Sequence, residues 1–335
     1  MKGDKKPTVA VIIITFNGSK FINKCLNSLK EQTYPKKDFS VIVVDNASTD
    51  NSIDLIEKNH STVKLIKNKE NSGFGSACNI GIREANSVDY VILLNQDSWV
   101  EKDWLEQLVK VMEKNQKAGC CGAAEHDYDE KPVSESKKKN ESTKAGCWMG
   151  GGSLIIRKKA LDDAGLFDEI YFMYGEDMDL TWRIQIAGWI IIKTSKAIWH
   201  HHGRKRSVSS TDWRVYYSWR NRIFVLLKFG STRQIISSIK KYFTYFMYGR
   251  KKSVNDVTSS ENIGNNNQNA VQRQNIFRRC NAILRKMLFA TKIIVAVLVY
   301  SPFLLQRRML LKNNNIDYEK IDSWIRETDM QFYGL

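Results

Sequence analysis

A few polar clusters in this chain combine residue types that can do chemistry. Asn95-Gln96-Asp97 closes the apolar run Tyr90–Leu94. A carboxylate at the carboxyl end of a strand can hold a hard cation against a diphosphate. Asp97 or Ser98 can equally cap the helix that carries Trp104 and Leu105. Asp45 ends the run Ser40–Val44 and opens Asn46-Ala47-Ser48-Thr49-Asp50. It can accept hydrogen bonds from a ribose or a base edge, or form an Asx turn while Asp50 or Ser48 caps the next helix. Asn71-Ser72-Gly73-Phe74-Gly75 leads through Cys78 and Asn79 into a helix. Its glycines permit positive φ and close backbone approach. Cys78 stands where a dinucleotide fingerprint needs its third glycine, and the Gly-Lys-Ser/Thr end of a P-loop is missing, so neither phosphate motif applies. Gly175-Glu176-Asp177-Met178-Asp179 opens an amphipathic helix that Gly188 ends, with Leu180, Ile184 and Ala187 turned inward. Three carboxylates exceed what charge complementation needs, and one of them can deprotonate an acceptor hydroxyl as a general base. His200-His201-His202 holds three of the five histidines. In an extended segment His200 and His202 share a face and His201 points away, so one or two of the rings can reach a metal, but not all three.

These groups need elements to position them. Residues 9–15, 40–45, 63–66 and 90–95 are apolar and rich in β-branched residues, as strands buried on both faces are. Between them, Phe21, Ile22, Cys25, Leu26 and Leu29 make one helical stripe, and Ile53, Leu55 and Ile56 a weaker one. This alternation predicts an α/β fold with a mostly parallel sheet and flanking helices. Ligands of such sheets bind beyond the carboxyl ends of the strands, where Thr15-Phe16-Asn17, Asp45-Asn46, Asn68 and Asn95-Gln96-Asp97 lie. Residues 126–146 are charged and aperiodic and read as a mobile surface loop. Leu154–Ile156, Trp189–Ile192 and Ala197–Trp199 are further apolar segments.

The charge is segregated. Residues 1–203 carry 28 Lys+Arg against 28 Asp+Glu, whereas residues 204–335 carry 24 against 8, so the whole formal charge of +16 sits in the last two-fifths. With 42% hydrophobic residues the chain can bury a substantial core, which excludes wholesale disorder. The basic part implies an anionic partner surface. Residues 205–250 interleave aromatics with Lys and Arg. Residues 251–275 read as a disordered polar linker, and 276–335 as a tail whose window 287–305 is the most apolar of the chain. Lys292 and Pro302 interrupt that window, so a monotopic or re-entrant segment is expected rather than a span. Interleaved rings and cations suit a membrane interface. They also suit single-stranded nucleic acid, but the apolar window and the carboxylates at the strand ends argue against it, so no nucleic-acid partner is expected. The six cysteines lack CxxC spacing and fit reduced thiols of a cytosolic compartment. Met1–Thr8 lacks the features of a signal peptide.

Together the motifs resemble glycosyltransferase family 2, the inverting nucleotide-sugar transferases of GT-A fold, and within it the rhamnosyltransferase-like members. Ile13–Asn17 resembles the first nucleotide-binding strand of that family. Asp45–Asp50 is similar to its VDNxSxD segment, and Asn71–Gly81 to its NxGfaxaxNxG segment. Leu93–Asp97 is similar to the LLNPD form of its metal-binding DxD motif, with Asn95 at the first acidic position. Gly175–Arg183 is similar to its GEDxDLxxR acceptor motif, and His200–Gly203 to its HxxG. The resemblance spans residues 8–228 and implies a catalytic domain over 8–204. It implies donor contacts from Thr15, Phe16, Asn17, Asp45, Asn71, Gly73, Asn79, Asn95 and Gln96. It further implies Mg²⁺ or Mn²⁺ on Asp97 and His200, with His202 as alternative ligand. Asp177 is implied as the base, and Glu176 and Asp177 as acceptor contacts. Trp148 and Gly150 would line the acceptor cleft, unless Trp148 is ordinary core. The implied reaction moves a sugar, from dTDP-rhamnose or a UDP-sugar, to a saccharide or lipid-linked saccharide. It would serve cell-surface polysaccharide synthesis at the cytoplasmic face of the membrane. A domain that has lost catalysis and acts as a scaffold is the alternative.

Overall fold

The computed structural model describes residues 6–85, 87–132, 143–205, 213–248, 268–312 and 317–333. The chain divides into two compact units, Met1–Tyr217 with Glu327–Leu335, and Ser218–Arg326.

The first unit opens with β1 (Val9–Thr15), α1 (Ile22–Lys30), β2 (Phe39–Asp45), α2 (Ser52–Asn59), β3 (Lys64–Lys67), α3 (Phe74–Glu84) and β4 (Tyr90–Asn95). These strands are parallel in the order β3-β2-β1-β4. Alternate residues of β1 serve opposite cores. Val9, Val11 and Ile13 pack with Ile22, Cys25, Leu26 and Leu29 of α1, while Ala10 and Ile12 pack with Ala77, Cys78 and Ile82 of α3. The central strand is therefore buried on both faces, which is why its β-branched run is continuous rather than alternating. Gly81 sets the spacing of α3 from β1, because a Cβ there would lie 2.5 Å from Ile12 Cγ2.

The chain continues through β5 (Ser98–Val100), α4 (Trp104–Lys114), β6 (Ala118–Asp127), β7 (Thr143–Ala145), β8 (Ser153–Arg157), α5 (Lys158–Ala164), α6 (Glu176–Ile186) and β9 (Ile190–His201). Strand β8 is antiparallel to β4 and β6, and β9 is parallel to β6 but antiparallel to β5 and β7. The sheet order is β3-β2-β1-β4-β8-β6-β9-β5. The α/β expectation holds, but the sheet is parallel only in its first half and mixed beyond β4. The apolar segments 189–192 and 197–199 belong to one strand, β9. Of the expected surface loop, 126–127 end β6, 143–145 form β7, and 133–142 lie outside the described residues.

Helix α7 (Trp213–Phe229) leads into the second unit, which holds α8 (Thr232–Tyr248), α9 (Gln268–Lys312) and most of α10 (Tyr318–Tyr333). Here Phe224 meets Tyr300 with ring centroids 5.4 Å apart. Arg308 Nη1 donates to the carbonyls of Leu227 at 3.0 Å and Gly230 at 2.6 Å. Arg222 Nη2 donates to the Ile325 carbonyl. Ile293, Ala296 and Leu304 of α9 are buried, whereas Met287, Leu288, Ile294, Val295, Leu298 and Val299 are exposed. Met287–Leu311 is long and apolar enough to cross a membrane, with a mean hydropathy of 2.1. Of the expected polar linker, 251–267 lie outside the described residues, and 268–275 are the first turns of α9 rather than linker.

Candidate active site

The carboxyl ends of β1, β2 and β4 meet in a polar network. Gln96, just past β4, accepts from Thr15 Oγ1 at 2.5 Å and from the Phe16 amide at 3.1 Å, and returns a bond to the Phe16 carbonyl. A Cβ on Gly18 would lie 1.9 Å from Gln96 Oε1, so only glycine admits this clamp. Asn17 adopts φ +50°. Its amide donates to Ser48 Oγ, and its Oδ1 accepts from the Thr49 amide. The edge of β1 and the turn after β2 are thus one piece. Asp45 accepts from the Ser48 amide through Oδ2, a bond to the third residue on rather than the second that an Asx turn uses. Its Oδ1 is buried without a hydrogen-bond partner. A buried acceptor left open is costly unless a ligand fills it, so Asp45 has an acceptor to offer beyond its bond within the turn. Asp50 fixes the start of α2. Burial opposes its charge, but bonds from Ser52 and Ser19 hold its carboxyl down at about 2.

Asn46, which sequence reasoning did not single out, is the hub of the neighbouring loop. Its Nδ2 donates to Asn71 Oδ1 and the Gly73 carbonyl, and its Oδ1 accepts from Asn68 and Ser72. Asn71 is therefore held by protein, shaping the loop. Gly73 has φ +84°, and a Cβ there would lie 2.3 Å from the Phe172 carbonyl, so backbone packs on backbone at this point. Asn79 stands apart from the expected donor site. It is buried on α3, where its amide bridges the Phe167 backbone in both directions at 2.9 Å and reaches Glu169. Its geometry is that of a staple.

The histidine register differs from expectation. His200 is fully buried. Its Nδ1 pairs with the Asp127 carbonyl at 3.0 Å and its Nε2 with Glu101 Oε1 at 2.9 Å, and its ring stacks on Trp99 at 3.7 Å. It does not face Asp97. His202 packs on Phe21 and Tyr128. His201 is the ring beside Asp97, with Nε2 3.3 Å from Asp97 Oδ1 and 3.3 Å from Asn95 Nδ2, and Nδ1 2.8 Å from Glu125 Oε1. His200 and His201 alternate across β9, whereas His202 lies past its end in a 3₁₀ turn, and the ring beside Asp97 is His201 rather than His200 or His202. Strand pairing decides the face: Trp99 lies opposite His200 in the β5–β9 ladder and covers it. Burial works against the charge of His201, but the Asp97 and Glu125 carboxylates raise its ring to about 9. A site that draws a proton this strongly has the charge to favour a cation, and a carboxylate facing an imidazole nitrogen is a suitable pair of donors. Glu125 orients the ring as outer carboxylates do for ligand histidines. Among the described residues, no group of three or more His, Cys, Asp and Glu side chains is poised for a metal. Asp97 and His201 are the carboxylate and imidazole that the fold brings together at the end of β4.

The acidic cluster at the start of α6 splits three ways. Asp179 is buried against Arg183 Nε at 2.7 Å and the Tyr171 hydroxyl, and Arg183 in turn ties down the carbonyls of Ala164 and Leu166. That carboxylate is structural. Glu176, expected at the acceptor, is instead 5% exposed, packed on Gly75 with its Oε2 unpartnered. Burial, then the neighbouring Asp177 charge, pushes its carboxyl well above the usual range. Asp177 keeps some exposure. It accepts from the Met178 amide at 2.8 Å and the Gly151 amide at 3.2 Å. Burial raises its carboxyl, and those amides hold back part of the rise. A carboxylate tuned upward in this way is a better base near neutrality. Gly150 lies between Asp177 and the half-buried Trp148, since a Cβ there would sit 3.7 Å from Asp177 Oδ2 and 3.8 Å from the Trp148 ring. A run of contacts joins the two ends of the site. Asn95 donates its amide to the Gly152 carbonyl and touches His201, and Gly151 binds Asp177.

Residues 10–174 match glycosyl transferase family 2. The chain is similar to an N-acetylglucosaminyl-diphospho-decaprenol L-rhamnosyltransferase of Mycobacterium tuberculosis, 25% identical over an alignment of 232 positions that covers 57% of this chain and 75% of that protein. It is 32% identical to the poly(ribitol-phosphate) beta-N-acetylglucosaminyltransferase TarS of Staphylococcus aureus over 109 residues, 32% of this chain but only 19% of that protein. Among solved structures it resembles the mannosyltransferase PcManGT of Pyrobaculum calidifontis in complex with GDP-Man and Mn²⁺. There the TM-score is 0.52 at 18% identity, covering 99% of this chain and 88% of that one. With the sheet and its flanking helices in place, the chain carries a glycosyltransferase family 2 domain over residues 10–174, with the fold of the GT-A enzymes.

Proposed function

We propose that the chain transfers a sugar from a nucleotide-sugar donor to a hydroxyl of a lipid-linked saccharide, with inversion, in cell-surface polysaccharide synthesis. dTDP-rhamnose is the favoured donor and a UDP-sugar the alternative. The observation that supports this reading is the buried acceptor Asp45 Oδ1, left open at the carboxyl end of β2 in a chain whose Asp177 carboxyl, raised by burial, opens α6. Asp45 and the Thr15–Asn17 edge would hold the nucleoside. Asp97 and His201 would hold a divalent cation, as supported by the Mn²⁺ of the mannosyltransferase neighbour. When bound, that ion neutralises charge on the leaving diphosphate. Asp177 takes the proton from the acceptor hydroxyl as it attacks the anomeric carbon from the face opposite the leaving group, and a single displacement inverts the configuration. The rhamnose donor and the lipid-diphosphate acceptor rest on the mycobacterial relative.

The second unit would hold the enzyme at the cytoplasmic face of a membrane. Helix α9 turns Ile293, Ala296 and Leu304 into the protein and leaves a row of large apolar side chains outside. A helix buried along one side is suited to lie in the interface rather than to span. The 24 basic against 8 acidic residues of 204–335 favour anionic lipid.

The experiment is a thermal-shift panel of nucleotide sugars with and without Mn²⁺, followed by transfer assays to N-acetylglucosaminyl diphosphate on a short prenol. Stabilisation by one donor class, strengthened by Mn²⁺, and transfer to the prenol acceptor are expected. If no nucleotide sugar shifts the melt and no product forms, the reading fails.

A further inference from the structure

The ladder between β1 and β4 ends at the pair Ile14–Asn95. One step further, the Gln96 carboxamide stands in for a neighbouring strand. Its Oε1 accepts from the Phe16 amide and its Nε2 donates to the Phe16 carbonyl, both at 3.1 Å, as the backbone of a paired residue does. The Phe16 amide can meet only an oxygen and the Phe16 carbonyl only an N–H, so the orientation of the carboxamide is determined. Oε1 also accepts from the Thr15 hydroxyl at 2.5 Å, which fills both of its acceptor sites. Thr15 is fully buried, is paired with Asp45 in the β1–β2 ladder, and accepts from the Asn46 amide at 2.8 Å. Gln96 therefore reaches Asp45 through a single residue. On its other side stands Gly18, whose amide donates to Ser52 Oγ at 2.8 Å and whose carbonyl accepts from the Phe21 and Ile22 amides where α1 begins. A Cβ on Gly18 would lie 1.9 Å from Oε1 and 2.7 Å from Cδ of Gln96, so the carboxamide fills the space between Thr15 and Gly18.

A polar side chain at the end of a strand can meet a ligand or can hold the backbone that does. Three of the four hydrogen-bonding sites of Gln96 are engaged by β1 and its edge, and those bonds would have to break before they could serve a donor. The edge needs such a hold. Strand pairing fixes residues 9–15, but the backbone leaves the sheet after Thr15 and turns at Asn17 with φ +50°. We infer that Gln96 is a positioning residue and not a donor contact: it fixes Thr15 and Phe16, and through Thr15 the Asp45 carboxylate, for the nucleoside of the donor. This rests on the reading of Asp45 and the Thr15–Asn17 edge as the nucleoside site.

The test compares the full chain with its Gln96→Ala, Gly18→Ala and doubly substituted variants. Calorimetric titration measures the affinity for UMP and dTMP, which lack the second phosphate, and for UDP and dTDP with and without Mn²⁺. Re-forming the edge on binding costs about the worth of one hydrogen bond. Gln96→Ala is therefore expected to weaken monophosphate and diphosphate by the same factor, about tenfold, whether or not Mn²⁺ is present. Gly18→Ala drives a methyl against the same carboxamide and should give a loss of the same kind, and in the double variant the two losses should not add. A loss confined to UDP and dTDP with Mn²⁺ assigns Gln96 to the diphosphate or the cation and overturns the inference. Unchanged nucleotide affinities in both single variants, whatever their melting temperatures, make the clamp purely structural and overturn it as well. In either case the wild-type chain still binds its nucleotide, and the transferase reading stands. A wild-type chain that binds none of the four nucleotides refutes the donor site, and the positioning role with it.

Discussion

Alanine at His200 and at His201 should give opposite phenotypes, although the residues are adjacent. His200 is fully buried, bonded at 3.0 Å to a carbonyl and at 2.9 Å to the Glu101 carboxylate, and stacked on Trp99. The neutral bond contributes about 1 kcal/mol and the carboxylate bond about 2. The stack adds about 1 kcal/mol, so the substitution costs about 4 kcal/mol in total. For a domain of this size that lowers the melting temperature by roughly 8–16 °C. His201 keeps 18% side-chain exposure and its partners are part-exposed carboxylates, so its loss costs about 1 kcal/mol or less. Its effect should appear in ligand binding instead. If Asp97 and His201 share a cation, His201→Ala should weaken Mn²⁺-dependent binding of the donor nucleotide by about 100-fold while the protein melts close to wild type. Differential scanning fluorimetry measures the first quantity, and calorimetric titration of UDP and dTDP with and without Mn²⁺ the second. A His200→Ala protein that melts normally but loses its Mn²⁺ response, beside a His201→Ala protein that keeps it, would refute the assignment.

Other outcomes follow from the same contacts. Asp177→Asn should lower transfer by about 10²–10⁴-fold and leave the thermal shift by donor nucleotide unchanged; near wild-type turnover removes Asp177 from the base role. Because burial raises the Asp177 carboxyl, the base form is lost as pH falls through a value above the usual aspartate range. The acid limb of kcat should lie there, and a limb at the ordinary aspartate value contradicts the desolvation argument. Asn79→Ala removes three hydrogen bonds, two of them buried, and should cost about 3 kcal/mol in urea unfolding, with donor KM unaltered; a selective rise in donor KM would return Asn79 to the donor site. Gly81→Ala forces a methyl to within 2.5 Å of Ile12 Cγ2 and should destabilise by about 1–3 kcal/mol; a neutral result would mean that α3 can shift away from β1.

Much of the catalytic unit was legible in the chain because its signals are local. A β-branched run must be buried on both faces, so β1, β2 and β4 declare themselves, and the polar groups at their ends follow by chain adjacency. Asp45 and Asp97 are located this way, and Asp177 by the helix start after Gly175. The antiparallel half of the sheet was not legible: β5 and β7 have three residues each, and their pairing with β9 depends on contacts distant in sequence.

What the sequence alone determined is the set of chemical groups and their order, since residue types at strand ends and helix starts are properties of the local chain. Tertiary structure decided which member of each set does what. Within His200–His202 the alternation of a strand allows two faces, and only the β5 partner Trp99 covers one of them, leaving His201 beside Asp97. Within Glu176, Asp177 and Asp179, helical spacing separates the three side chains. Packing then decides: Gly75 admits Glu176 to the interior, Arg183 binds Asp179, and the Gly151 amide meets Asp177 at the open edge. Burial and partner choice depend on neighbours that arrive from elsewhere in the chain, and they divide the partly exposed Asp177 from the buried Glu176 and Asp179 where residue type cannot.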